Sequence, residues 1–207
     1  MKQRLSYRVT KRVFDVVLAG SGLVLTVPVT TLAAVAIWLE DRGPVLYRGT
    51  RVGRFGRPFV MYKFRTMVRD AELVGGSSTS DADPRLTRVG RFLRAHKLDE
   101  LPQLLNVLQG TMSVVGPRPQ VQWDVDRYTA DERRLLEVKP GITDWSSIRF
   151  RNEGQILQNE QDPDEAYDRL IRPEKIRLGL EYVGSASLET DFRIVGQTIR
   201  ALFSRAR

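Results

Sequence analysis

The sequence predicts an α-rich α/β protein with an N-terminal helix set in a membrane and one small domain behind it. Three observations predict this class. Twenty-four consecutive residues, Val16 to Leu39, carry no charge. Apolar residues recur at helical spacing between Leu86 and Val115 and again between Asp162 and Tyr182, while strand-like segments are short. The 207 residues leave room, after an anchor over 1–40, for a single domain over 41–207.

The anchor comes first. A helix needs about 20 apolar residues to cross a bilayer core, so the length permits a crossing. The flanks argue against a simple one. Lys2, Arg4, Arg8, Lys11 and Arg12 precede the run, and Arg42, Arg48, Arg51, Arg54, Arg57, Lys63, Arg65 and Arg69 follow it, against only Glu40, Asp41 and Asp70. Lys and Arg beside a membrane segment stay on the cytoplasmic side, and here both ends carry them. Pro28 offers a solution, because a mid-helix proline removes a backbone hydrogen bond and kinks or breaks the helix. The expectation is a re-entrant helix that turns back within one leaflet. No small-residue cleavage site follows the run, which weighs against a signal peptide. Asp15, at its edge, is expected at the interface or paired with Arg12.

Short strands are expected at Val45–Tyr47 and Phe59–Phe64, joined by the Arg/Gly-rich turn Arg51–Arg57. Gly75–Asp83 reads as a polar loop. RVGRFLRAH and ELPQLLNVLQG read as two helices, and GPRP at Gly116–Pro119 as a rigid turn. A short helix over Glu132–Val138 ends at Lys139–Pro140–Gly141, and a proline at 173 interrupts the helical stretch 162–182. From Phe192 the tail places apolar residues at 192, 195, 199, 202 and 203 among Arg193, Arg200, Arg205 and Arg207. That pattern suits an amphipathic helix on a membrane surface or one packed on the core. No later run is long enough to span a bilayer, and there is no internal repeat.

Composition narrows the chemistry. The net charge of +8 points to acidic partners: anionic lipid, phosphate-bearing substrate or nucleic acid. With no cysteine there is no disulfide frame, thiol nucleophile or cysteine-bound zinc, and His96 alone makes a poor start for a triad or a multi-histidine metal site. Carboxylates, Lys and Arg remain, with a hard cation on oxygen ligands. They concentrate at Leu98–Asp99–Glu100–Leu101–Pro102–Gln103. Leu98, Leu101, Leu104, Leu105 and Leu108 follow helical spacing, Pro102 suits a first turn, and Asp99 is then expected at or near the N-cap. There the helix dipole favours its ionised form. A well-capped helix is one reading. The other is an aspartate that attacks phosphorus, with a glutamate beside it to hold a divalent cation.

Seven strings decide between them: KRVFDVV at 11–17, GPVLYR at 43–48, RVGRFGRPFVMYKFRTM at 51–67, DPRLTRVGRFLR at 83–94, LDELPQLLNVLQG at 98–110, SVVGPRP at 113–119 and KPGIT at 139–143. In this order, over almost the whole chain, they resemble the bacterial sugar transferase family, the monotopic phosphoglycosyl transferases (polyprenyl-phosphate hexose-1-phosphate transferases). The resemblance implies a re-entrant membrane helix broken at Pro28, interfacial amphipathic helices and a small cytoplasmic catalytic domain on the inner leaflet of the bacterial membrane. Without the extra N-terminal region of larger members, it implies the minimal catalytic form.

The implied reaction has two steps. Asp99 attacks the sugar-linked phosphate of a nucleotide-diphosphate sugar, most often a UDP-sugar, and UMP leaves. Polyprenyl phosphate, typically undecaprenyl phosphate, then takes the phosphosugar and begins assembly of a capsule, exopolysaccharide, O-antigen or glycoprotein glycan. Glu100 matches the glutamate that binds Mg²⁺. Lys63, Arg65, Arg94 and Arg118 match motif positions and are the candidates for phosphate or nucleotide contacts. Lys63 and Arg65 stand two apart and would share a strand face. Arg118 is held between two prolines. Asp83–Pro84–Arg85 is read as a turn, Lys97 as a solvent-facing lysine and His96 as a surface residue. A homodimer is a possible further partner.

The chain departs from the family pattern in places. Val27–Pro28 stands where many members have Ser-Pro, so a side-chain bond to the freed carbonyl is missing. Thr111 stands for a common aspartate and is left only a capping role. The Asp144–Glu153 stretch replaces Gly-Trp-Ala-Gln and could shape the sugar pocket. A non-enzymatic basic membrane module would not need the ordered dyad and GPRP strings. Nucleic-acid binding lacks a stacking platform, because the aromatic residues are scattered. A nucleotide-sugar hydrolase is the nearest chemical alternative.

Overall fold

A computed structural model describes residues 5–71, 79–158 and 160–203. Residues 75–78 of the polar loop expected over Gly75–Asp83 lie outside them, as do Lys2, Arg4, Arg205 and Arg207. Helix α1 (Leu5–Asp41) takes in the whole charge-free run and the basic residues before it. Among the described residues it is the one helix long and apolar enough to cross a membrane. Pro28 lies inside it, and the helical run continues on both sides, so the segment is one helix and not two.

Both halves of α1 pack on the same domain. In the first half Ala19 joins Met61, Val107 and Met112, while Leu104 lies against Gly22. In the second half Ala33 and Ile37 join Phe64 and Leu93. The stretch between them is bare: Val24, Leu25 and Leu32 are 73%, 79% and 71% exposed. Polar contacts fix both ends. Arg12 donates to the carbonyls of Val107 and Leu108 at 2.6 and 2.7 Å. Asp15 is buried and accepts from Ser113 Oγ and Val114 N, with Lys11 3.5 Å away, so its cationic partner is Lys11 and not the expected Arg12. At the far end Glu40 accepts from the N–H groups of Arg88 and Val89.

Behind α1 an antiparallel hairpin pairs β1 (Leu46–Val52) with β2 (Pro58–Phe64), in register from Leu46↔Phe64 to Val52↔Pro58. β1 thus runs through Arg51 and Val52, which the sequence reading placed in the turn. Val52 N donates to Gln120 O and its side chain is buried, so the ladder is worth extending. The turn itself uses left-handed Phe55 and Gly56. Helices α2 (Arg88–Ala95) and α3 (Gln103–Gln109) follow. A second, parallel pair joins β3 (Ser113–Val115) to β4 (Gly141–Thr143), with α4 (Gln122–Asp126) and a 3₁₀ turn over Glu132–Glu137 between them.

The rest is helical: α5 (Trp145–Arg149), α6 (Glu153–Ile156), α7 (Pro163–Leu170), α8 (Arg172–Ser185) and α9 (Leu188–Phe203). Pro173 sits in the first turn of α8, where its missing N–H costs little, and so divides α7 from α8 as the sequence suggested. α9 turns Asp191 and Ile194 into the core. Phe192, Ile199 and Leu202, on the apolar face foreseen for the tail, remain exposed, and Phe192 meets Phe14 of α1 edge-on at 4.9 Å.

Candidate active site

Asp99 and Glu100 lie in a 3₁₀ turn, Leu98–Glu100, between α2 and α3. Lys97 opens this turn in the left-handed conformation, φ 57°, with its side chain exposed. Leu98 and Leu101 pack beside Ile37 and Leu93, which fixes the turn against the second half of α1. The expected N-cap role of Asp99 is not found. Pro102 occupies that position in α3, and the turn places Asp99 before it. Its carboxylate accepts no hydrogen bond from the described residues, although the residue is only 7% exposed.

Glu100 differs sharply. Arg118 grips it with both terminal nitrogens, at 3.2 and 2.5 Å, and Lys63 Nζ reaches it at 3.1 Å. Burial pushes its carboxyl up, but Arg118 and Lys63 outweigh that and hold it well below the usual carboxylate range. Burial likewise pushes Asp99 up. Lys63, Arg94 and Arg118 oppose the shift, Glu100 adds to it, and Asp99 stays above its ordinary value. Two adjacent carboxylates are therefore driven apart: one is a tightly paired anion, the other an unpaired group that ionises less readily. Lys63 is itself held low by burial, with Glu100 pulling the other way.

Particular contacts bring these groups together. Asn106 of α3 is fully buried; its Oδ1 accepts from Tyr62 N at 2.9 Å and its Nδ2 donates to Val60 O at 2.7 Å. That amide fastens α3 to the free edge of β2, next to Lys63. Arg118 is set by a close crossing of backbones: a Cβ on Gly141 would lie 2.1 Å from Gly116 N, so only glycine fits, and Gly141 N donates to Pro117 O. Arg94, in the last turn of α2, adds its positive field at Asp99.

Arg65 is not brought to this cluster. It is buried and forms a two-point pair with Asp41 at the end of α1, at 2.6 and 2.5 Å. β2 ends at Phe64, so the shared strand face expected for Lys63 and Arg65 does not extend to Arg65. Pro28 lies inside α1. His96 is exposed at the end of α2, and Asp83 forms a turn with Arg85 N at 2.9 Å and pairs with its guanidinium. Thr111 accepts from Asn106 Nδ2 and donates to Asn106 O, closing the end of α3 as a cap. Asn106 escaped the sequence reading, although a lone amide inside LLNVL was its signal. Gln103, buried with Nε2 unpartnered, had none.

A hard divalent cation fits the dyad on one condition. Mg²⁺ commonly takes one or two carboxylates and leaves its other positions to water and substrate phosphates; both Glu100 oxygens are engaged by Arg118 and Lys63, so a cation at Glu100 would share or displace those contacts, while Asp99 beside it keeps both oxygens free of protein donors. Among the described residues no group of three or more acidic or imidazole side chains offers a fuller cage.

Comparison with known proteins gives this arrangement its context. The chain is 39% identical over 201 residues to the UDP-glucose:undecaprenyl-phosphate glucose-1-phosphate transferase of Escherichia coli (strain K12), covering 93% of this chain and 40% of that one. It is 39% identical over 204 residues to the protein of the same name in Caulobacter vibrioides, covering 97% and 72%. It is 36% identical over 201 residues to the UDP-N-acetylgalactosamine-undecaprenyl-phosphate N-acetylgalactosaminephosphotransferase of Aeromonas hydrophila, covering 96% and 44%. The chain thus spans less than half of two of these relatives. Residues 6–205 match the family described as bacterial sugar transferase, and the chain belongs to that family.

Proposed function

We propose that the protein transfers a sugar 1-phosphate from a UDP-sugar to undecaprenyl phosphate, through a phosphosugar carried on Asp99. The observation that carries this reading is the contrast within the dyad: a buried Asp99 carboxylate free of hydrogen bonds, beside a Glu100 held by Lys63 and Arg118. In the first step an Asp99 oxygen attacks the sugar-linked phosphorus. The bond from that phosphorus to the bridging oxygen breaks, and UMP leaves with the electron pair. In the second step a phosphate oxygen of the lipid attacks the same phosphorus, and the acyl-phosphate bond returns its pair to Asp99. Lys63, Arg94 and Arg118 offset the charge of the diphosphate. Mg²⁺, held through Glu100, would supply further neutralisation of the phosphates.

The reading extends to membrane placement. Both ends of α1 rest on one domain while its middle is bare and apolar, which favours a helix that enters one leaflet and returns over a helix that crosses. Strongly basic flanks favour the cytoplasmic face. The exposed apolar face of α9, touching α1 at Phe14, suits the same interface.

The test is UMP release from a panel of UDP-sugars by the protein in nanodiscs, with Mg²⁺ and with or without undecaprenyl phosphate. Release that needs both lipid and magnesium supports the transferase and names the donor sugar. Multiple turnovers without lipid would mean hydrolysis, with water capturing the same intermediate.

A further inference from the structure

A second cationic site lies at the other end of α3. A cleft of about 530 Å³ opens where the start of α1 meets the β3–β4 pair. Five cations line it: Arg8, Lys11, Arg12, Arg54 and Lys139. Asp15 is the one carboxylate on its wall, and it is already satisfied by Ser113, Val114 and Lys11. The cations differ in their commitments. Arg12 closes the last turn of α3, and Arg54 donates to Glu137 O at 2.8 Å. Lys11 pairs with Asp191 at 3.0 Å. Lys139 has no anionic partner among the described residues, whereas Lys63 and Lys175 each reach a glutamate.

Lys139 also stands close to Arg12: a methyl group on Gly110 would lie 3.6 Å from both Lys139 Nζ and Arg12 Nη2. Two cations facing one point repel each other, and Lys139 is half-buried as well. Burial, reinforced by Arg12, Arg54 and Arg8, outweighs the opposing pull of Asp15 and holds its amine below the ordinary lysine value. An arrangement of this kind is relieved by an anion that enters from outside.

The rim indicates which anion. Val9 and Val13 line the cleft and are 57% and 59% exposed, and from them a bare stripe of Val16, Val17 and Val24 leads toward the middle of α1. A charged floor beneath an apolar edge suits a phosphate head joined to a hydrocarbon tail. The Asp99 site is separate. Arg12 holds the C-terminal carbonyls of α3, and the dyad precedes its N-terminus, a helix about 10 Å long away. We infer that this cleft binds the phosphate headgroup of an anionic bilayer lipid, as a site distinct from the catalytic dyad. The inference does not depend on the transferase reading.

The experiment is native mass spectrometry of the full chain in detergent, titrated with phosphatidylglycerol or phosphatidylcholine. The wild type should retain one phosphatidylglycerol in clear preference. Arg8→Gln with Lys139→Gln should weaken that adduct by about tenfold and leave phosphatidylcholine unchanged, and Lys139→Arg should keep it. Acylation of Lys139 by a water-soluble reagent gives a readout on the unmutated protein: phosphatidylglycerol should protect it and phosphatidylcholine should not. Equal retention of both lipids, or an undiminished adduct in the double variant, would overturn the inference. So would displacement by inorganic phosphate at matching concentration, which would make this a free-phosphate site. Displacement by undecaprenyl phosphate alone would overturn it too, by making this a carrier site.

Discussion

At the scale of single residues, the fold treats the two neighbours of the dyad unequally. On the proposed mechanism Asp99→Asn removes the nucleophile and should reduce transfer by on the order of 10³-fold or more. The same change should raise the melting temperature at neutral pH. Burial raises the Asp99 pKa in the fold, so its ionised form is disfavoured there relative to the unfolded chain. That penalty is present above the folded pKa and absent below the unfolded one, so the gain in the asparagine variant should vanish in acid. Thermal melts across pH, beside UMP release, check both halves. A loss of activity accompanied by a lower melting temperature would contradict the assignment. The shift has a kinetic counterpart: the acid limb of kcat/KM should fall above the usual carboxylate range near 4, and a pH–rate profile reads it directly. Asp99 and Glu100 were visible in the sequence by their motif. Their opposite pKa shifts were not, because the fall at Glu100 comes from Arg118 and Lys63 arriving from other elements and the rise at Asp99 from burial in the finished fold.

At the scale of elements, a seven-residue α3 is too short to be stable on its own and depends on its neighbours. Asn106→Ala would strip Tyr62 N–H and Val60 C=O of their partner and should cost about 2–4 kcal/mol. Lys63 should lose its register with Glu100 as well. Denaturant unfolding should show the first effect, and a fall in kcat beyond what stability explains should show the second. The sequence made the helices from Arg88 and Gln103 legible through apolar spacing, and Pro173 through its lack of an N–H. The extension of β1 to Val52 was hidden, because Gln120 supplies the extra bond from nearly seventy positions away. Arg65 misled for the same reason: its partner, Asp41, is known only once the end of α1 and the end of β2 meet.

At the scale of the whole molecule, two-sided basic flanks foretold that both ends of the apolar run belong together, and both do rest on one domain. Of the kink or break expected at Pro28, a break is not seen: the helical run passes through the proline, and a helix that returns would have to bend there without ending. Single cysteines placed at Ser6 and at Arg42 should label from the same side of the membrane in intact cells. The chain contains no cysteine of its own, which keeps the background clean. Labelling from opposite sides would mean a crossing helix.

The clasp of Arg12 on the final carbonyls of α3 ties α1, the proposed anchor, to the rod that follows the dyad. Any force that tilts the anchor is then passed along that rod to the carboxylates. Bilayer thickness should accordingly act as a control on turnover. In vesicles of graded acyl-chain length, the rate should peak at one thickness and decline on either side, while Arg12→Gln should flatten the curve.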